Sequence, residues 1–360
     1  MGWHNLEVRL KPISSGTVNL ARGQGVLMSR PYSSGRGAPV LLCTLLAVLS
    51  LTATQAEDAN AVQRAEELLK EGKLDDARPL AESHLRRQPS DPEALMLLGR
   101  ILLAQEDADG AIERFESAVE RAPTSSPAHR LLGEAYVTKA ENSNMFKKLG
   151  LAKKAKAFYE RAVELDPGDA NARYSLIGYY LEAPGIAGGS VTKAREQAQQ
   201  MIGIDALRGH EMMASVHEKQ KEYAEAEAEL RLCTTMAPDN PDPWHDLGLY
   251  LQRRERFADA LAAFDKALEI DAGHANSLYQ VGRTGALSGK ELDRARQALL
   301  AYLEQETTSD SPSKAWAQYR LGMVYEHGGE KSLARSAFQS ALKLDPKHEQ
   351  AKKALKKLGS

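Results

Sequence analysis

Four short stretches hold the residue types that could carry chemistry. YYLEAPGIAGGSVTKA (179–194) gathers Pro184, Gly185, Gly188 and Gly189 within six residues, the kind of turn whose backbone N–H groups cradle phosphate in nucleotide-binding loops. A P-loop, however, needs G-x-x-x-x-G-K-[ST] between a strand and a helix. Here the first lysine is Lys193, four residues past Gly189, and a helical pattern precedes the turn. The stretch therefore reads as an ordered turn, with Gly185, Gly188 and Gly189 supplying positive φ, or as a rigid recognition loop. HEMMASVH (210–217) puts His210 and His217 on one helix face but lacks the H-E-x-x-H spacing of a zinc hydrolase, so both read as packing or surface histidines. Cys233 occupies a small-residue position and reads as buried and inert. Lys147, Lys148, Lys153, Lys154 and Lys156 form a basic cluster that either attracts an anionic partner or lipid headgroups or is a solvated face. No Ser/His/Asp arrangement, paired-carboxylate motif or metal-ligand spacing stands out. The expectation is no catalytic residue, no cofactor, no metal and no enzyme.

The elements that must position these residues follow from composition. Of 360 residues, 42% are hydrophobic, 27% charged and only 6% aromatic. Ala, Leu, Glu, Lys and Arg dominate and long β-branched runs are missing, which points to an all-α chain packed through small residues. Of 47 basic and 49 acidic residues, five and one fall within 1–56, so the remainder stands at −6. That balance argues against a nucleic-acid partner, because phosphate binding needs clustered Lys and Arg.

The run VLLCTLLAVLSL (40–51) follows Arg30 and Arg36 and is succeeded by Thr54, Gln55 and Ala56. A charged start, a short apolar middle and small residues before a break are the parts of a secretory signal peptide. Its 12 residues fall short of the ~20 that span a bilayer. Residues 1–56 are expected to be a leader cleaved after Ala56, with an uncleaved anchor as the competing reading and Met28 as an alternative start. Cys43 would leave with it, and Leu42 before that cysteine argues against a lipid anchor. The expected location is outside the cytoplasm, in the periplasm.

The chain repeats itself at a fixed period. Residues 92–125, PEALMLLGRILLAQEDADGAIERFESAVERAPTS, lie over 241–274, PDPWHDLGLYLQRRERFADALAAFDKALEIDAGH, without a gap. Leu98-Gly99 matches Leu247-Gly248, Ala111 matches Ala260, Phe115 matches Phe264 and Ala118 matches Ala267. A mid-helix glycine suits a place where another helix approaches closely. Ala111, Phe115 and Ala118 share one helical face, small residues flanking a large one, and Pro123 stops the second helix.

This unit resembles the tetratricopeptide repeat, a 34-residue pair of antiparallel helices. The resemblance implies a right-handed α-solenoid of about eight helix pairs over 57–348. The units fall at 58–91, 92–125, 126–169, 170–206, 207–240, 241–274, 275–314 and 315–348, with 349–360 as a C-terminal capping helix. Pro123 to Pro167 is 44 residues and Pro167 to Pro238 is 71, so units three and four carry insertions, expected between their helices near 141–150 and at the glycine-rich stretch. Stacking would align them in a joint recognition lip of Phe146, Lys147, Lys148, Pro184, Gly185, Ile186, Gly188 and Gly189. A polar link, TTSDSPS (307–313), lengthens unit seven.

In the family, first helices build a concave wall that binds a peptide or protein. By position, Arg130, Asn171, Tyr174, Tyr279, Arg283, Tyr319 and Arg320 should face that groove, with Met96, Met212 and Met323 among them. Such side chains are favoured at interface centres. The Lys/Asn clamp by which some members hold acidic C-termini is missing, its places reading Val62 and Glu66, Met96 and Arg100, Arg130 and Glu134. The leading expectation is a non-enzymatic scaffold binding a protein segment in envelope assembly or biogenesis. The alternative is a self-associating lattice subunit. Membrane contact would come only through an uncleaved leader or the Lys147–Lys156 cluster.

Overall fold

A computed structural model describes residues 61–306 and 311–359. The leader at 1–56, Met28 and part of the 307–313 link lie outside the described residues. Those described are helical throughout, with no strand among them, and form an α-solenoid of paired helices in two compact bodies divided between Thr124 and Ser125.

In the first body, α1 (61–70) pairs with α2 (Leu74–Arg87), and α3 (Pro92–Ala104) with α4 (Ala108–Arg121). Gly72 turns the chain between α1 and α2 at φ +72°, which glycine adopts without penalty. The Asp91 side chain accepts the N–H groups of Glu93 and Ala94 and Pro92 fills the first turn, so α3 starts there. Ala111, Phe115 and Ala118 are completely buried, and α4 ends two residues before Pro123.

The second body repeats this pair along 125–359. First helices are α5 (Ser126–Glu141), α7 (Ala170–Glu182), α9 (Ala206–Gln220), α11 (Pro241–Arg253), α13 (Ala275–Ser288) and α15 (Lys314–His327). Second helices are α6 (Met145–Leu165), α8 (Val191–Ile202), α10 (Tyr223–Met236), α12 (Phe257–Ile270), α14 (Leu292–Glu304) and α16 (Lys331–Leu344), followed by α17 (Glu349–Gly359). Side-chain caps from Ser125, Asp169, Asp205, Asn240 and Ser313 set the starts of five first helices. In several of these pairs a glycine of the first helix admits a large side chain of the second: Gly133 faces Tyr159, Gly248 Phe264, Gly282 Leu299 and Gly322 Phe338. A Cβ on Gly248 would stand 2.4 Å from the Phe264 ring, and one on Gly99 in the first body 2.4 Å from Phe115.

The insertion of unit three differs from expectation. Only residues 142–144 separate α5 from α6; the extra residues lengthen the helices instead, α6 reaching 21 residues where most of its neighbours have 12 to 14. Asn144 caps α6 by accepting the N–H of Lys147, and the Lys, Ala and Leu that follow are good helix formers. In unit four the insertion is a short 3-10 turn, Gly185–Ala187. Only Gly188 there has positive φ, at +96°. Gly185 does not, and Gly189 is required for a different reason, since a Cβ would meet the Ala183 carbonyl oxygen at 1.7 Å.

Candidate functional site

The candidate site is the row of polar and aromatic side chains on the first helices of the second body. These helices lie against one another in succession, α5 on α7 on α9, and α11 on α13 on α15. Small residues and large apolar ones face their second helices, which leaves the other face for longer polar side chains.

Arg130 is half-buried and paired with Glu134 one turn on, and Glu134 accepts from Ser175 of α7 at 3.3 Å. Asn171 and Tyr174 are brought together by Arg208 of α9, whose guanidinium donates to Asn171 Oδ1 at 2.8 Å and lies over the Tyr174 ring at 4.8 Å. Arg283 donates to Gln252 of α11 and to Gln280 at 3.3 Å. Gln252, itself buried, donates to Thr284 Oγ1 at 2.7 Å. Arg320 lies over Trp316 at 5.6 Å and Tyr319 at 5.4 Å, and its Nε is buried without a partner. Tyr319 also packs on Phe338 and on His348. Met212 and Met323 are half-buried on α9 and α15, and Met96 on α3 of the first body.

Tyr279 is a correction. It is 6% exposed and packs on the Tyr302 ring at 5.5 Å, so it belongs to the core. The reason is local: Leu299 faces Gly282 where Gly99, Gly133, Gly248 and Gly322 face an aromatic ring, and the two tyrosines fill the space that a smaller side chain leaves. Arg208, Gln252 and Trp316 were missed. Arg208 has a legible signal, an arginine in the turn just after the capping Asp205, 37 residues beyond Asn171, about one repeat away.

The lip residues fall in two places. Phe146, Lys147 and Lys148 stand on the first turn of α6. The Pro184, Gly185, Ile186, Gly188 and Gly189 turn meets α6 ten residues further along, where a Cβ on Gly188 would be 2.9 Å from the Lys156 side chain, about 15 Å down the helix. The turn is no phosphate cradle. The N–H groups of Ala187, Gly188, Gly189 and Ser190 donate to the carbonyls of Pro184, Gly185, Pro184 and Tyr180, and the Tyr179 hydroxyl donates to Ala187 O at 2.8 Å.

Cys233 is fully buried, and burial pushes its thiol up to about 12. His210 and His217 pack on carboxylates, Nδ1 to Glu229 and Nδ1 to Glu222, each at 2.6 Å. Among the described residues no group of three or more His, Cys, Asp or Glu is arranged to hold a metal ion, and no helix is long and apolar enough to cross a membrane.

The family description "Tetratricopeptide repeat" fits residues 62–127 and 99–138, and again 143–169. The chain is a multi-repeat tetratricopeptide protein. Residues 210–345 of the array also match the middle tetratricopeptide-like domain of cilia and flagella-associated protein 70. Among curated relatives, Protein NPGR1 of Arabidopsis thaliana is 26% identical over 42% of this chain and 21% of its own length. A protein of Petunia hybrida described as the probable UDP-N-acetylglucosamine–peptide N-acetylglucosaminyltransferase SPINDLY is 30% identical over 29% of this chain and 11% of its own. The array thus spans about a fifth and a tenth of the relatives it matches. The solved tetratricopeptide protein TTC0263 of Thermus thermophilus is 21% identical, covering 68% of this chain and 99% of its own, with a TM-score of 0.42. Tetratricopeptide arrays are in general protein–protein interaction scaffolds, and this chain has that architecture.

Proposed function

We propose that the array is a non-enzymatic scaffold, exported to the periplasm, whose first-helix wall holds an extended segment of a protein partner in envelope assembly or biogenesis. The observation that carries this reading is the row Arg130, Asn171–Tyr174–Arg208, Arg283 and Trp316–Tyr319–Arg320, half-buried on the first helices α5, α7, α9, α13 and α15 of one body. Guanidinium groups and aromatic faces offer bidentate donors and large, stiff contact area, the features that concentrate binding energy in protein interfaces. Placed one or two repeats apart, they suit a partner that crosses several units in extended form. The signal-like leader supports export.

The test is a pull-down from periplasmic extract, comparing wild type with Tyr174→Ala/Arg208→Glu and with Arg283→Glu. Partners recovered by wild type should fall by roughly tenfold or more with each variant, as expected for loss of an interface anchor. Circular dichroism should be unchanged. Equal recovery of every partner by folded variants would falsify the assignment of the wall.

A further inference from the structure

The most exposed large apolar side chains among the described residues all lie in the two insertions: Phe146 at 93%, Met145 at 77% and Ile186 at 73%. Phe146 and Met145 are adjacent and open α6, and the Asn144 cap holds the turn that presents them. The segment 142–159 contains five lysines and no acid, in a chain that is acidic elsewhere. Lys154 lies over the Tyr136 ring at 5.0 Å and Lys156 pairs with Glu160 at 3.7 Å, while Lys147 and Lys153 are exposed. At Gly150 a Cβ would meet nothing within 4 Å, so no neighbouring element packs on the helix there.

Two adjacent apolar side chains at a helix tip are too few for the core of a specific protein interface, which draws about 20–30 residues from each side. They do have the size of a shallow wedge at a bilayer surface. In that setting an aromatic ring and a thioether enter the boundary between headgroups and acyl chains, and lysine stems extend along apolar surface to place their ammonium groups at headgroup level. Positive charge beside them is complementary to anionic lipid. We propose that the N-terminal end of α6 is a membrane-contact tip that docks the protein on an anionic bilayer, with Met145 and Phe146 inserting and Lys147 and Lys153 supplying the charge. This surface is separate from the first-helix wall, and its failure would leave the wall untouched.

Co-sedimentation of the full chain with vesicles tests it, using phosphatidylglycerol mixed with phosphatidylcholine against phosphatidylcholine alone. Wild type should bind the anionic vesicles roughly tenfold more tightly, and raising the salt concentration should weaken that binding. Met145→Ser/Phe146→Ser and Lys147→Glu/Lys153→Glu should each lower it by roughly tenfold. Leu344→Ser, at an apolar residue 56% exposed at the end of α16, should leave it unchanged. Because all four side chains in the two double variants are exposed, unaltered circular dichroism is expected of both. The proposal is overturned if wild type ignores lipid charge. It is equally overturned if both α6 variants bind like wild type, as they would were the apolar run at 40–51 responsible, or if the tip captures a protein partner while vesicles stay unbound.

Discussion

Gly248 stands where any side chain would collide with the Phe264 ring, since its Cβ would lie 2.4 Å from that ring. In an open helix, replacing glycine by alanine gains ~1 kcal/mol of helix propensity. Here overpacking reverses the sign, and Gly248→Ala should destabilise the protein by about 1–3 kcal/mol, read as a lower urea midpoint. Adding Phe264→Leu should recover part of the loss; if the single variant is as stable as wild type, the helices are not in contact at that crossing. This pairing was legible in sequence because glycine and phenylalanine recur at fixed offsets in Gly99/Phe115 and Gly248/Phe264. Tyr279 was not legible. Its position in the repeat is that of a wall residue, and only the substitution of Leu299 for an aromatic across from Gly282 turns it into the core beside Tyr302. Position within a repeat reports the face of a helix, whereas burial depends on what the facing helix leaves empty.

At the scale of the element, α17 is attached through the residue just before it. His348 is buried and packs on Trp316 with ring centroids 4.3 Å apart, and its Nδ1 accepts the Ala351 N–H at 3.4 Å. Burial holds its pKa below the ordinary 6.5; Arg320 acts in the same direction and Asp345 against it. The neutral ring is therefore the form that the folded state favours. The stability it contributes is fully present above the unfolded pKa and is lost as pH falls from there through the depressed folded value. Between pH 7 and pH 5 the melting temperature of wild type should fall further than that of His348→Asn, which keeps a capping side chain that does not titrate. Parallel curves would mean that this imidazole does not govern the attachment of α17. The capping helix itself could be seen in EQAKKALKKLGS, where Ala351, Leu355 and Leu358 recur on one side. The form of the unit-three insertion could not. Counting between prolines gives surplus length without saying whether it loops out or extends a helix, and the choice was made by the Asn144 cap and by the residues after it. The glycine-rich turn misled in the opposite sense: three glycines suggested three positive φ values, but Gly189 is required by the Ala183 carbonyl and Gly185 by neither constraint.

For the whole molecule, the repeat period made the architecture readable from the chain alone, because each helix pair must bury one face on the next and the spacing of its small residues records that need. The compartment is a different kind of inference, resting on a leader whose apolar run is too short to span a bilayer. If the proposed export is right, N-terminal sequencing of the protein recovered from the periplasm should begin at Glu57. A cytoplasmic protein retaining Met1 or Met28 would contradict it. The ties between neighbouring first helices, Ser175 to Glu134, Arg208 to Asn171 and Gln252 to Thr284, carry a consequence for anything held there. The atoms that donate in these ties already have an acceptor, so an incoming chain that takes them must displace an internal partner, and only N–H groups outside the ties, such as the buried Arg320 Nε, are left to add a bond. Recognition on such a surface is substitution: enthalpy gained at one guanidinium is largely returned by the amide or carboxylate it releases. Selectivity then rests with ligands that replace several partners in register, and short or mismatched ones leave the donors with the acceptors they already have.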